Sequence, residues 1–427
     1  MNSLEREVLR FVKDNDIKFI RLAFSDIFGR QKNLAIMSDE LEKAFEHGVL
    51  FDAFSIEGFA NEKSADLLLF PNPATVQILP WRPSEGRVAR FFCDIRYPDG
   101  TRFEADSRHI LTKTIERAKK LGYMAKVGAE CEFYIFKEDD NGNPIPETHD
   151  NGGYFDISPL DMGENIRREI CLNLEEMGIT PRNSHHERGP GQHRVKFRYG
   201  DPLTAADDYI TFKWLVRTIA SRHGCYATFM PKPLDEINGS ALQMGLLLFR
   251  DGENLLCHNG ARTKEMNSFI AGILNRICEI TAVLNPTPNS YRRFGEFNAP
   301  KDLTWSEIHP KALIRITDFM KEDSRIKVRS VDPTANPYLA AVLLLSAGLD
   351  GIENGETLDE EMHIKSLKEE AVNSKSLPSS LDEALALFDE SEFVKKTLGI
   401  NLAENFSETK KKTPNAGLGE IDLRQYL

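Results

Sequence analysis

Glu130 and Glu132 are separated by one residue in Gly128-Ala129-Glu130-Cys131-Glu132-Phe133. On a strand, that spacing points both carboxylates to the same face. Two carboxylates side by side repel one another unless a cation sits between them. The pair therefore suits a divalent metal, with a solvated strand face as the ordinary alternative. Glu187, after His185-His186, would add a third acid. Zinc at His185, His186 and His193 lacks a second cluster or a cysteine to support it. A structural role near the sheet is expected of these histidines.

The elements that must carry these groups follow from periodicity. Residues 4–14 form an amphipathic helix with Leu4, Val8 and Phe11 on one face. Lys18–Ile36 alternates about Ser25-Asp26-Ile27-Phe28-Gly29, a hairpin pattern. Leu67–Phe70, Thr75–Leu79 and Val88–Arg96 read as further strands of a small domain ending near Phe103. After Ser107 helices and strands alternate. Arg108–Leu121 is helical, Met124–Lys137 reads as a strand pair, and Asp161 precedes a helix with Glu164 placed for a capping box. Gly178 stops that helix. Ala205–Arg222 and Thr263–Leu284 are long helices, with strands at Val195–Tyr199, Ala227–Met230 and Ala241–Phe249. The apolar run Tyr338–Leu349 is too short for a bilayer and reads as a buried helix capped by Asn336, with Pro337 in its first turn. The chain turns polar over Glu408–Pro414, before a short Ile421–Leu427 terminus.

A chain of 427 residues exceeds what one core usually organises, so two domains are expected. Its 41% hydrophobic content is ordinary for a soluble globular protein. A net charge of −12 argues against nucleic acid as a partner. Six dispersed cysteines without C-x-x-C spacing, and no signal peptide, point to reduced thiols in a cytoplasm.

Six segments in consistent order resemble the glutamine synthetase family, in its type I bacterial and archaeal branch. They are Phe51–Phe59, Gly128–Phe133, Ser184–Glu187, Phe229–Pro233, Asn238–Ser240 and Asn336–Leu339. The resemblance runs from about residue 15 to about residue 400. It implies an α+β fold, with a β-grasp domain at 1–103 and a catalytic-type domain at 104–427 whose antiparallel sheet and helices form a funnel-shaped site. The implied reaction is phosphorylation of glutamate by ATP, followed by displacement of phosphate by ammonia, with two Mg2+ ions neutralising charge. It also implies hexameric rings, stacked as a dodecamer, with active sites between neighbouring subunits and no membrane partner.

Carried over residue by residue, Glu132 and Glu187 match two ligands of one ion and Glu130 matches one ligand of the other. The remaining three ligand positions hold Arg194 in Gly191-Gln192-His193-Arg194, Gln243 after Asn238-Gly239-Ser240, and Lys327 in Arg325-Ile326-Lys327-Val328-Arg329. Replacing two carboxylates by two cations adds about four positive charges, as much as two divalent ions supply. The expectation is that Arg194 pairs with Glu132 and Glu187, and Lys327 with Glu130. The alternative is that the cations swing to solvent and one ion binds weakly.

Asn238, Gly239, Arg293 and Arg329 match positions that hold glutamate. Arg315 and Arg325 match arginines at the phosphate groups, Arg315 on the catalytic and Arg325 on the nucleotide side. Asp52 and Ser55 match a loop that a neighbouring subunit contributes. Asn298 stands where the family places its flap glutamate, and Pro310 where it places a catalytic arginine. Gly245, Leu247 and Arg182 replace nucleotide-side residues. The implied function is a glutamine synthetase-like pseudoenzyme that binds glutamate or glutamine or assembles with an active paralogue. The alternatives are an active ATP-dependent carboxylate–amine ligase with altered metal use or substrate, and a purely structural ring-forming protein.

Overall fold

The computed structural model describes residues 1–59, 61, 63–256, 262–317, 324–368 and 375–412. A capping box between Asn2 and Glu5 starts α1 (Ser3–Asp14). β1 (Ile17–Ser25) and β2 (Gln31–Met37) form the hairpin, whose turn is held by Asp26 accepting from the Phe28 and Arg30 amides at 3.0 and 2.9 Å. After α2 (Leu41–His47) come β3 (Val49–Asp52), β4 (Asp66–Pro71), β5 (Gln77–Ile78) and β6 (Arg87–Arg96). The sheet runs β2-β1-β6-β4-β3, with β1 and β6 parallel. Thr75–Leu79 is mostly not strand: Asn72 caps a 3-10 turn at Pro73–Thr75, which leaves two residues to pair.

α3 (Ser107–Lys120) leads into the second sheet. Its spine is β7 (Met124–Glu138), one continuous strand rather than a pair. Gly128 within it is required because a Cβ there would lie 2.8 Å from the Tyr199 ring. The other strands are β8 (Pro144–Thr148), β9 (Pro181–His186), β10 (Gln192–Phe197), β11 (Cys225–Thr228), β12 (Leu242–Arg250), β13 (Glu253–Asn254), β14 (Trp305–Ser306), β15 (Ile314–Thr317) and β16 (Arg325–Val328). The order is β14-β15-β16-β12-β7-β10-β9, antiparallel except for β14 with β15. β10 begins three residues earlier than its sequence pattern suggests, and this brings Arg194 into the ladder.

Helices cover this sheet. α4 (Glu164–Glu176) starts at Gly163 without a side-chain cap, because Arg167 takes both Asp161 oxygens at 2.9 and 2.6 Å. α5 (Pro202–Arg222) is capped by Asp201 and α6 (Lys264–Leu284) by Thr263. Beyond α7 (Pro288–Tyr291), Asn336 caps α8 (Pro337–Glu353), which is almost wholly buried. α6 and α8 touch backbone to backbone, since a Cβ on Gly272 would lie 2.8 Å from Gly351. α6 is long and apolar enough to cross a membrane, yet most of its apolar window is buried in the core. α9 (Leu381–Glu390), α10 (Glu392–Leu398) and α11 (Ile400–Lys411) close the domain. Glu408–Lys411, expected to be irregular, continues α11, and Ile421–Leu427 lies outside the described residues.

Candidate active site

The register of the second sheet assembles the charged group. Arg194 stands opposite Glu132, and Lys196 opposite Glu130, across the β10–β7 ladder. Directly opposed side chains in such a ladder start about 5 Å apart. Gln243 flanks Glu130 from β12, while Lys327 comes from β16 on the far side of β12. Glu187 enters from the turn after β9.

Arg194 touches all three acids. Its Nε is 2.7 Å from Glu187 Oε1, its Nη1 is 3.5 Å from Glu130 Oε2, and its Nη2 contacts Glu132 Oε1. Lys327 Nζ lies 2.5 Å and Lys196 Nζ 2.9 Å from Glu130 Oε1. Glu132 Oε2 also accepts from the Ala241 amide at 2.8 Å. All three carboxylates are buried. Three acids thus face three cations, and the cluster is neutral by itself.

Burial alone would raise the Glu130 carboxyl, but Lys327 and then Lys196 overcome it and hold it at about 2. Burial raises Glu132 against the pull of Arg194. Glu187 is held below its usual range, because His185 and Arg194 outweigh its burial. Burial draws Lys327 down to about 8 even beside Glu130. Glu130 and Glu187 are thus held toward their charged forms by the cations beside them.

A second layer fixes Glu187. His186 is sandwiched, with Nδ1 2.7 Å from the Glu187 carbonyl and Nε2 2.8 Å from Asp150 Oδ1. Both neighbours are acceptors that favour a protonated ring; burial disfavours the charge, but Asp150 and then the Glu187 carbonyl outweigh it and raise the pKa. Asp150, His186 and His193 lie close enough together to hold a metal. However, Arg167 Nη1 donates to His193 Nδ1 at 2.8 Å, which leaves the ring proton on Nε2, the nitrogen that a metal here would need. The cluster fits a buried polar network better than a zinc site. His185 stands apart from it, 3.1 Å from Glu187 Oε1.

Above the charged floor is a cavity of about 240 Å³, whose walls include Asn238, Gly239, Arg293, Arg315 and Arg329. Arg293 is buried, and its guanidinium donates to the Ser330 and Val331 carbonyls. Its stem lies against Gly239, where a Cβ would come within 2.8 Å of Arg293 Cγ. Arg329 donates to the Ala312 carbonyl at 3.1 Å and to the Asn298 carbonyl at 2.9 Å. Gln243, Asn298 and Pro310 line the same space.

Asp52 and Arg325 lie elsewhere, and Ser55, Arg182, Gly245 and Leu247 do not line the cavity. Asp52 is exposed at the end of β3, its carboxylate taken by the Ser55 hydroxyl at 2.5 Å, and it does not line this cavity. Arg325 does not line it either; its guanidinium lies 5.5 Å from the centre of the Tyr199 ring.

The glutamine synthetase catalytic domain matches residues 104–417 and the glutamine synthetase β-grasp domain matches residues 16–98. The chain belongs to the glutamine synthetase family. Glutamine synthetase from Clostridium saccharobutylicum is 44% identical over 411 residues, 94% of this chain and 93% of that one. Glutamine synthetase from Methanosarcina mazei is 43% identical over 94% of this chain and 92% of its own length. The solved GmaS/ADP complex superposes with a TM-score of 0.85 at 27% identity, covering 95% of this chain and 94% of that one.

The family's reaction uses ATP and divalent metal. Cationic side chains stand on the acids that would hold metal. Any Cβ at Gly245 would overlap the Tyr199 hydroxyl, so Tyr199 fills the space above Gly128 and Gly245. Sequence reasoning missed Lys196 and Tyr199. The signal for Lys196 was the alternation Arg194-Val195-Lys196, which mirrors Glu130-Cys131-Glu132 on the neighbouring strand. Tyr199 gave no signal of its own, because its placement depends on two glycines far apart in sequence.

Proposed function

We propose that this member of the glutamine synthetase family binds glutamate or glutamine in the arginine-walled cavity without divalent ions and carries out little or no ordinary glutamine synthesis. The observation that carries the reading is Arg194 bridging Glu130, Glu132 and Glu187 while Lys327 sits on Glu130. A guanidinium at a ligand position repels a hard cation directly. Asn298 cannot serve as a base where the family has a glutamate, and Pro310 offers no donor to developing charge. We take Arg293 and Arg329 as the carboxylate-binding groups, Arg315 as a phosphate-facing group, and Asp52 as a group presented to a neighbouring subunit.

A second reading, which the named relatives favour over the first, is an active ATP-dependent carboxylate–amine ligase in which Arg194, Lys196 and Lys327 supply the charge of the metals. Its support is the relatives' name, glutamine synthetase, at 44% and 43% identity over nearly the whole chain, and the ADP bound in the GmaS complex. Phosphate release with ATP, glutamate, ammonium and magnesium separates the two. Turnover at an ordinary enzyme rate of about 1 s⁻¹ or more selects the ligase. Calorimetric binding of glutamate in EDTA, without phosphate release, selects the first reading.

We also propose division into 1–103 and 104–427, a cytoplasmic location, and ring assembly in which Asp52 meets a neighbour's site. Leu50 and Phe54 on the first domain, and Phe155, Ile157, Leu160 and Met162 on the second, are exposed apolar residues suited to that contact. Mass measurement in solution tests the assembly, a monomer being the contrary result.

A further inference from the structure

A second cavity, of about 340 Å³, opens between the β1–β2 turn, α5 and the end of α11. None of its lining residues lines the site above. Seven of its sixteen lining residues are cationic, namely Arg21, Arg30, Lys32, Arg82, Lys213, Arg217 and Lys410, and none is Asp or Glu. Nearby acids offset only part of this charge. Glu57 lies 3.1 Å from Arg30, and the buried Asp26 lies 3.8 Å from Lys32. Lys213 Nζ donates to the Pro333 carbonyl at 3.0 Å. Lys410 is buried, with its ammonium 4.6 Å from the Phe28 ring centre.

Like charges crowded around one concave space repel, and burial sharpens the repulsion. Burial and then Arg217 lower Lys213 to about 7; burial and then Arg30 lower Lys410 to about 8. Hollows lined by one sign of charge concentrate counter-ions. After Asp26, Glu57 and Asp332, the acids that act on Lys213 and Lys410, are counted, about four positive charges remain, more than one carboxylate or one orthophosphate balances. The volume falls at the lower end of small-molecule pockets, about 300–1,000 Å³.

We propose that this cavity is a binding site for a small oligophosphate, a molecule carrying a di- or triphosphate group, distinct from the amino-acid site. The seven side chains supply its charge-assisted hydrogen bonds, and no metal is needed to hold the phosphates.

The test is titration calorimetry on the intact protein at about 0.1 M salt, with inorganic pyrophosphate and tripolyphosphate as probes and orthophosphate and succinate as comparators. Pyrophosphate is expected to bind once per chain, at least about tenfold tighter than orthophosphate or succinate. Lys410→Met and Arg82→Ala each weaken it about tenfold or more, whereas Arg315→Ala, in the other cavity, leaves it unchanged. Arg82 is exposed, so its variant remains informative if Lys410→Met fails to fold. No heat below about 1 mM probe, succinate binding as tightly as pyrophosphate, or loss in Arg315→Ala alone would each overturn the assignment.

Discussion

Arg194→Met is the most direct test of the charge arrangement. Methionine keeps most of the stem volume and deletes the guanidinium that reaches Glu130, Glu132 and Glu187. Three buried carboxylates then face Lys196 and Lys327, with His185 beside Glu187. Removing one partner of a buried ion pair costs about 3–5 kcal/mol, because the remaining charge keeps its desolvation penalty. With an unfolding entropy of about 2.1 cal/mol/K per residue, the 427 residues carry about 0.9 kcal/mol/K, so a two-state melt falls by about 3–6 °C. The vacated space is lined by acids, and the variant gains a place for a divalent ion. Manganese at about 100 times its dissociation constant returns about 2.7 kcal/mol, most of the loss. The parent melt does not move with manganese. The assay is differential scanning calorimetry of both proteins in EDTA and in manganese. A variant that melts within about 1 °C of the parent, or a parent stabilised by manganese as strongly as the variant, would refute the reasoning.

Other consequences can be measured separately. Exchanging both cations, Arg194→Glu with Lys327→Glu, creates a five-carboxylate floor that binds manganese detectably by electron paramagnetic resonance, where the parent gives only the free-ion spectrum. Glu130 has a folded pKa of about 2 against an ordinary 4.5, so its stabilising contribution is present above pH 4.5 and is lost as pH falls from 4.5 towards 2. That contribution is about 3 kcal/mol, and urea unfolding of Glu130→Gln across this window shows a correspondingly shallower decline than the parent. Arg329→Ala weakens glutamate binding by about 1.5–3 kcal/mol, read by calorimetry with the melting temperature as a fold control; unchanged affinity removes Arg329 from the site. Gly245→Ala destabilises by about 1–3 kcal/mol through overlap with Tyr199, and Tyr199→Ala in the same chain relieves most of that loss in a double-mutant cycle.

Much of the site was legible because strand chemistry is periodic. The spacing of Glu130 and Glu132 gave their shared face, and motif order placed Arg194 and Lys327 beside them. What escaped depends on register and on contacts between distant segments. Lys196 became a partner of Glu130 only once β10 was seen to start at Gln192. Met124–Lys137 reads as a strand pair in the sequence yet is one strand continuing to Glu138, in which Gly128 makes room for an aromatic ring. The cap expected at Asp161 went to Arg167, an ion pair that local pattern cannot rank against a backbone amide. The basic cavity was invisible for the same reason, its seven cations coming from the hairpin, the loop after β5, α5 and α11.

The Tyr199 ring over Gly245 also ties together two positions far apart in the chain. A larger residue at 245 cannot be accommodated while the tyrosine lies there, and the tyrosine has no reason to leave while glycine keeps its berth open. A side chain at 245 therefore needs two substitutions made together, so this corner of the protein changes as a pair or not at all.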